Sequence, residues 1–242
     1  GGPLRTPASF CTVVGFRTAP GRVPVYPSML GWSPFSVVGP MARTVGDVAL
    51  VLSAIAGPDR RVPISIAESG ERFAAPLDRD FRGVRIAWGG DFGGLPIDPR
   101  VTAAIEAQRP TFAALGCAID DAAPDFTDAD AIFKAWRAWA TEVRHGAAIK
   151  EHGERYKQTI RDEAAYGATL TGPQLARLEV ARTALYGRIH AFMEDHEFMI
   201  FPVCQVPPFD ITERYVTAIN GVPMASYIDW MRSCYFISIT GL

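Results

Sequence analysis

The chain has 242 residues, and its 24 lysines and arginines nearly balance its 26 aspartates and glutamates, leaving a formal net charge of −2. The two signs are interspersed, so there is no basic field to draw in nucleic acid or an anionic membrane surface, and neither is expected as a partner. With 48% hydrophobic and 21% charged residues, the composition fits a globular protein with one sizeable core or two modest ones, which excludes disordered and fibrous classes.

The first eleven residues, Gly1-Gly2-Pro3-Leu4-Arg5-Thr6-Pro7-Ala8-Ser9-Phe10-Cys11, read as an active-site loop. Glycines without a Cβ let backbone amides approach a reacting centre, and a basic residue and a small-residue turn follow them. The β-branched run Thr12-Val13-Val14-Gly15-Phe16 predicts a strand leading away from it, and Gly21-Arg22-Val23-Pro24 a turn. Residues 25–38 are rich in proline, serine, glycine and aromatics, the texture of a loop that packs.

Thr44 with Asp47 three residues on resembles a capping box. It predicts a helix with Val48, Val51, Leu52 and Ile55 on one face and a stop at Gly57-Pro58. Residues 59–82 are charged and broken by Pro63 and Pro76, as a surface connection would be. Gly83–Trp88 predicts a strand. The glycines at 89, 90, 93 and 94 form a wide turn, without the lysine of a phosphate loop. Asp98-Pro99 reads as an N-cap with proline at N1, opening a helix that Pro110 should kink. Cys117-Ala118-Ile119 is the next strand. Residues 83–119 thus form a strand–helix–strand unit and predict an α/β layer architecture.

Asp128–His145 carries Ile132, Phe133, Trp136, Trp139, Ala140 and Val143 at helical spacing, and Thr171-Gly172-Pro173 precedes a second long helix through Met193. Such stripes are core before they are ligand contacts. Phe198–Pro202 is a short apolar strand ended by proline. The run Phe236–Leu242 reads as a further strand entering the core.

Metal binding is not predicted, because His190 and Glu194, four apart and near His196, are more simply a helix-surface contact. No Gly-x-Ser-x-Gly elbow anchors an α/β-hydrolase triad. Cys11, Cys117, Cys204 and Cys234 are far apart among apolar neighbours and read as buried free thiols in a reducing cytoplasm. No apolar run reaches the about 20 residues of a membrane helix, and no leader pattern opens the chain.

The opening segment resembles the nucleophile motif of the amidase signature family, Gly-Gly-Ser-hydrophobic-Arg-x-Pro-Ala/Ser-Ser. Gly1, Gly2, Leu4, Arg5, Pro7, Ala8 and Ser9 match it, and Pro3 stands where the family keeps its serine. Cys11, Val14, Gly15, Phe16, Arg17, Gly21, Arg22 and Val23 continue the similarity. Gly39-Pro40-Met41-Ala42-Arg43-Thr44-Val45-x-Asp47 is a second hallmark in the right order.

The resemblance implies an α/β domain, a mixed sheet flanked by helices, of which residues 1–242 are one part, incomplete at both ends. It implies hydrolysis of a small-molecule amide through an acyl-enzyme on a serine, with a relay serine and a lysine base upstream of this chain. It also implies no cofactor and a cytoplasmic location, and a homodimer is allowed. By the same resemblance Gly1 and Gly2 form the oxyanion hole, Arg5 and Ser9 support the loop, and Trp136 and Trp139 are candidates for the substrate pocket. Lys134, Lys150 and Lys157, the three lysines present, match no catalytic position and read as solvated charges.

Proline at position 3 has no hydroxyl to attack with and no N–H to donate into an oxyanion hole. Losing one such donor alone costs roughly 10²–10³ in rate, so the chain as written is expected to be inactive. Two alternatives stand beside the amidase: a non-catalytic protein of the same fold that binds a ligand, and the amidase-like subunit of a tRNA-dependent amidotransferase. The amidotransferase's Ser-Arg-Tyr-Gly-Leu and Ser-Ser-Leu-Asp-Gln segments are missing between Arg22 and Gly39.

Overall fold

The computed structural model describes residues 4–242. Gly1, Gly2 and Pro3 lie outside the described residues. From Leu4 the opening motif passes into a short helix, Thr6–Phe10 (α1), with Pro7 in the first turn, where a missing N–H removes no helical bond. Thr12 then takes a left-handed φ of 55° and turns the chain. The strand predicted over residues 12–16 is reduced to Val14–Gly15 (β1), antiparallel to Met41–Ala42 (β2). At Gly15 a Cβ would stand 1.8 Å from the Leu4 carbonyl oxygen and 2.6 Å from the Ala8 Cβ, so only glycine lets β1 lie this close to α1.

Val45–Ile55 (α2) starts where predicted. The Thr44 hydroxyl accepts the Asp47 N–H at 3.1 Å. Val48 and Leu52 are buried, but Val51 and Ile55 flank that stripe and stay 39% exposed. The connection over residues 59–82 carries a single 3₁₀ turn, Gly70–Ala74, packed against α2.

Arg85–Trp88 (β3) leads to Pro99–Glu106 (α3), whose N-cap Asp98 accepts the Arg100 N–H at 2.9 Å. The kink predicted at Pro110 is a full break. A second helix, Arg109–Ala114 (α4), begins with Pro110 in its first turn. Ala118–Asp120 (β4) follows and pairs in parallel with β3, completing the strand–helix–strand unit.

Three helices follow. Ala129–His152 (α5) begins at Asp128 as predicted and runs further than His145, with Gln158–Thr169 (α6) packed along it. Gly172–Asp195 (α7) opens on a complete capping box between Thr171 and Gln174. Phe198–Ile200 (β5) pairs in parallel with the free edge of β3, giving the order β4-β3-β5. A small hairpin, Ala218–Ile219 (β6) with Val222–Pro223 (β7), precedes the last helix.

That helix, Arg232–Thr240 (α8), corrects the strand predicted for Phe236–Leu242. Isoleucine, serine and threonine alternate there with the period of a strand. Burial of seven of its nine residues on several faces removes the one-sided pattern by which helices are recognised. Its hydroxyls bond inside the helix: Ser238 Oγ donates to the Cys234 carbonyl at 3.2 Å and Thr240 Oγ1 to the Ile237 carbonyl at 2.7 Å. Polar side chains satisfied by their own backbone can enter an apolar interior at little cost. Gly241, at φ 88°, ends the helix.

The main core joins Ile132 of α5, Leu185 and Ile189 of α7 and Tyr235, Phe236 and Ile239 of α8 with Phe92 and Phe126. The architecture is α/β, with helices around parallel and antiparallel pairings that divide, among the described residues, into three small sheets. Among the described residues no helix is long and apolar enough to cross a membrane.

Candidate active site

A cavity of about 580 Å³ opens beside Arg5, Thr6 and Pro7. Arg5, Thr6 and Pro7 line it from the motif and α1, Trp136 from α5, and Cys234 and Ser238 from α8. Its walls are aromatic. The Phe35 ring lies 5.7 Å from Trp136 at 30°, and Phe133 stacks on Tyr235 at 4.2 Å and 4°. Trp139 does not line the cavity. It packs edge-on against Trp136 at 5.4 Å, so the two tryptophans singled out in the sequence stand one at the wall and one bracing it. Ser9 is exposed, and its backbone N–H closes the first turn on the Arg5 carbonyl at 2.9 Å.

Two guanidinium groups fasten the opening motif to α8. Arg5 Nη2 donates to Ser238 Oγ, a bond between residues at opposite ends of the chain. Arg17 donates to the carbonyls of Thr18 at 3.3 Å and Ser238 at 3.4 Å. Burial lowers the pKa of Arg5, and burial with repulsion from Arg5 lowers that of Arg17 to about 10. Thr6 Oγ1 meets Cys234 Sγ at 3.4 Å, and the Cys234 thiol donates to the Val203 carbonyl at 2.9 Å. A hydrogen bond shared with Cys234, together with burial, pushes the Cys204 thiol well above its ordinary value. All four cysteines are free, as the sequence suggests, but only Cys204 and Cys234 are buried; Cys117 is half-buried and Cys11 exposed.

Behind the cavity lies an ion network that the sequence did not reveal. Lys134 is not a solvated surface charge: its Nζ stands 2.8 Å from both Asp130 and Asp229. Burial acts to lower its pKa, but the two carboxylates outweigh that and hold it above the ordinary lysine value. A lysine kept charged in this way cannot accept a proton as a base. Asp229 also accepts the Ser226 N–H at 2.8 Å and Arg232 Nη2 at 3.2 Å. Tyr235 donates its hydroxyl to Asp130, and burial first and that bond second raise its pKa. Lys150 and Lys157 are exposed, as expected.

His196 does not join His190 and Glu194. Its Nε2 lies 3.1 Å from Asp120 and its Nδ1 3.2 Å from the Phe192 carbonyl, while the His190 ring lies beside Tyr186. Among the described residues no group of three histidines, cysteines or acids is placed to hold a metal ion.

Several cavity residues were not picked out from the sequence, among them Phe35, Arg144, Tyr227 and Tyr235. For Arg144 a signal existed, since Trp136, Ala140 and Arg144 recur at every fourth position along α5. Phe35 and Tyr227 come from loops, where periodicity says nothing.

A family model described as Amidase matches residues 1–242. An acylamidase of Rhodococcus erythropolis is 27% identical over 236 residues, which cover 95% of this chain and 49% of the relative. A glutamyl-tRNA(Gln) amidotransferase subunit from an Anaeromyxobacter strain is 40% identical over 121 residues, 50% of this chain and 25% of that protein. The chain spans about half the length of the first of these relatives and less of the second. Among solved structures, a bacterial aryl acylamidase of the amidase signature enzymes superposes with a TM-score of 0.84 at 23% identity, over 100% of this chain and 52% of that one. The 6-aminohexanoate cyclic dimer hydrolase does so with 0.78 at 19% identity, over 99% and 54%. At these identities the superpositions speak for the fold alone.

Proposed function

This chain belongs to the Amidase family, and on that footing we propose that the whole protein hydrolyses the carbon–nitrogen bond of a small carboxamide. Residues 1–242 are then part of one amidase signature domain in a cytoplasmic enzyme. In a form with serine in place of Pro3, the reaction runs through an acyl-enzyme on that serine. The Gly1 and Gly2 amides receive the oxyanion, Arg5 and Ser9 hold the loop, and Trp136, braced by Trp139, borders the substrate pocket. The proton relay and base come from outside this chain. No metal or organic cofactor enters these steps.

The observation that carries the proposal is the cavity itself. Aromatic walls meet Arg5, Thr6 and Pro7, the residues that follow position 3 closely in the sequence, which supports reading the cavity as the place where an amide would sit. Apolar walls with a few polar groups at one end are how small-molecule sites are commonly built.

Proline at position 3 lacks both nucleophile and N–H. The form written here is therefore inactive, and that residue favours a second reading, a ligand-binding protein of the same fold. The test is direct: the whole protein carrying Pro3→Ser should hydrolyse a simple anilide and take up a fluorophosphonate label, and the Pro3 form should do neither. Equal activity in the two forms would sink the assignment of position 3. Silence in both forms, with retained ligand binding, would favour the binding protein.

A further inference from the structure

The charge in this cavity is one-sided. Three arginines and a histidine line it, Arg5, Arg137, Arg144 and His145, and no aspartate or glutamate does. Two of the arginines are engaged by the protein itself. Arg137 is paired with Glu163, whose side chain is only 10% exposed, and Arg5 is bonded to Ser238 beside the motif. Arg144 has no hydrogen-bond or ion-pair partner among the described residues, and it is exposed.

Its position along α5 is also distinctive. Phe133, Trp136, Arg137, Ala140, Arg144 and His145 share one stripe of that helix. Phe133 stacks on Tyr235 of α8, the helix that Arg5 and Thr6 also touch. At about 1.5 Å of rise per residue, Arg144 stands roughly 12 Å along the helix from Trp136 and roughly 16 Å from Phe133. The guanidinium thus lies on the same cavity as the aromatic wall, about two helical turns along α5 from Trp136.

We propose that Arg144, with His145 beside it, binds a carboxylate on the far end of the substrate. The substrate class is an amide with an aromatic body lying along Phe35 and Trp136 and a negatively charged tail. The physical basis is that arginines at a cavity with low-dielectric aromatic walls and no acidic side chain in its lining favour an anion there. A guanidinium without an internal partner offers its planar fork to a carboxylate. The proposal rests on the reading of the cavity as an amide site, and binding can be measured apart from turnover.

The probes are 4-(4-carboxyphenyl)butanamide and 4-phenylbutanamide, which differ only in the carboxylate. With the whole protein in its Pro3 form, calorimetry should find the carboxylate amide bound roughly tenfold more tightly. Added salt should shrink the gap. Arg144→Ala should close it, and Arg144→Lys, a point charge without the fork, should keep part of it. Unfolding curves check that the variants are folded. Equal affinities in the parent, a gap that survives Arg144→Ala, or failure of both amides to bind would each overturn the proposal. Turnover of 4-phenylbutanamide by the Pro3→Ser form tests the amide reading separately: turnover without a gap sinks only the carboxylate site, and a gap without turnover sinks only the hydrolase.

Discussion

Replacing Asp229 by alanine removes the anion that ties α5 to the segment leading into α8, and its cost can be worked out from the structure. The Asp229 side chain is 2% exposed and holds Lys134 at 2.8 Å, Arg232 at 3.2 Å and the Ser226 N–H at 2.8 Å. Removing one partner of a buried ion pair typically costs about 3–5 kcal/mol. Here the stranded cations are 29% and 28% exposed, and both still reach Asp130, at 2.8 and 3.5 Å. Water and Asp130 recover part of the loss, so Asp229→Ala should cost about 2–3 kcal/mol. At the roughly 2–4 °C per kcal/mol of a domain of 150–250 residues this is a fall of about 4–12 °C in the thermal midpoint, and less in a longer whole protein.

The assay is thermal and urea unfolding of the whole protein, with Lys134→Met completing a double-mutant cycle whose coupling should be about 1–2 kcal/mol. pH gives an independent check. Burial acts to raise the Asp229 pKa, but Lys134, the Ser226 N–H and Arg232 outweigh it and leave it below the ordinary aspartate value of 3.8. A depressed carboxylate contributes stability above its unfolded-state value and loses it as pH falls through the folded-state value. The advantage of the parent over Asp229→Asn should therefore be full at neutral pH and fade below about pH 4. A loss under about 0.5 kcal/mol with no coupling to Lys134 would refute the network.

Gly15→Ala places a Cβ 1.8 Å from the Leu4 carbonyl oxygen, so β1 must move off α1. Backbone displaced so near the motif should cost more than a surface change does, several kcal/mol by order of magnitude. In the Pro3→Ser background it should abolish fluorophosphonate labelling, and unchanged labelling and stability would contradict the packing. For the thiols, a maleimide should modify Cys11 within the first minutes. Cys204 and Cys234, 4% and 3% exposed, should react only on unfolding. Mass mapping that finds either of them labelled early would place them nearer the surface.

Where the sequence was legible, the signals were local. Thr44 with Asp47, Asp98 with Pro99, and Thr171-Gly172-Pro173 each mark a helix start at the predicted place, because a cap is a bond between a side chain and a backbone N–H two or three residues on. Periodicity misreads α8 because its serines and threonines are satisfied by its own carbonyls, so burial on several faces left no polar side to detect. Lys134 is misread for a related reason. Its charge is compensated by Asp229, far along the chain, and no spacing rule reports such a pair.

The opening motif alone was enough to point to the family, since glycine, arginine and proline at fixed offsets describe one local backbone path. Its third residue also determined that the chain as written carries no nucleophile there. What only the tertiary structure decided is the site around it: that Arg5 is held by Ser238, that Phe35 and Tyr227 come from distant loops to the same cavity as Trp136, and that Arg144 lines it without a partner among the described residues. Those relations depend on how α1, α5 and α8 pack against one another. Packing is set by the summed burial of many side chains, which no single stretch of sequence encodes.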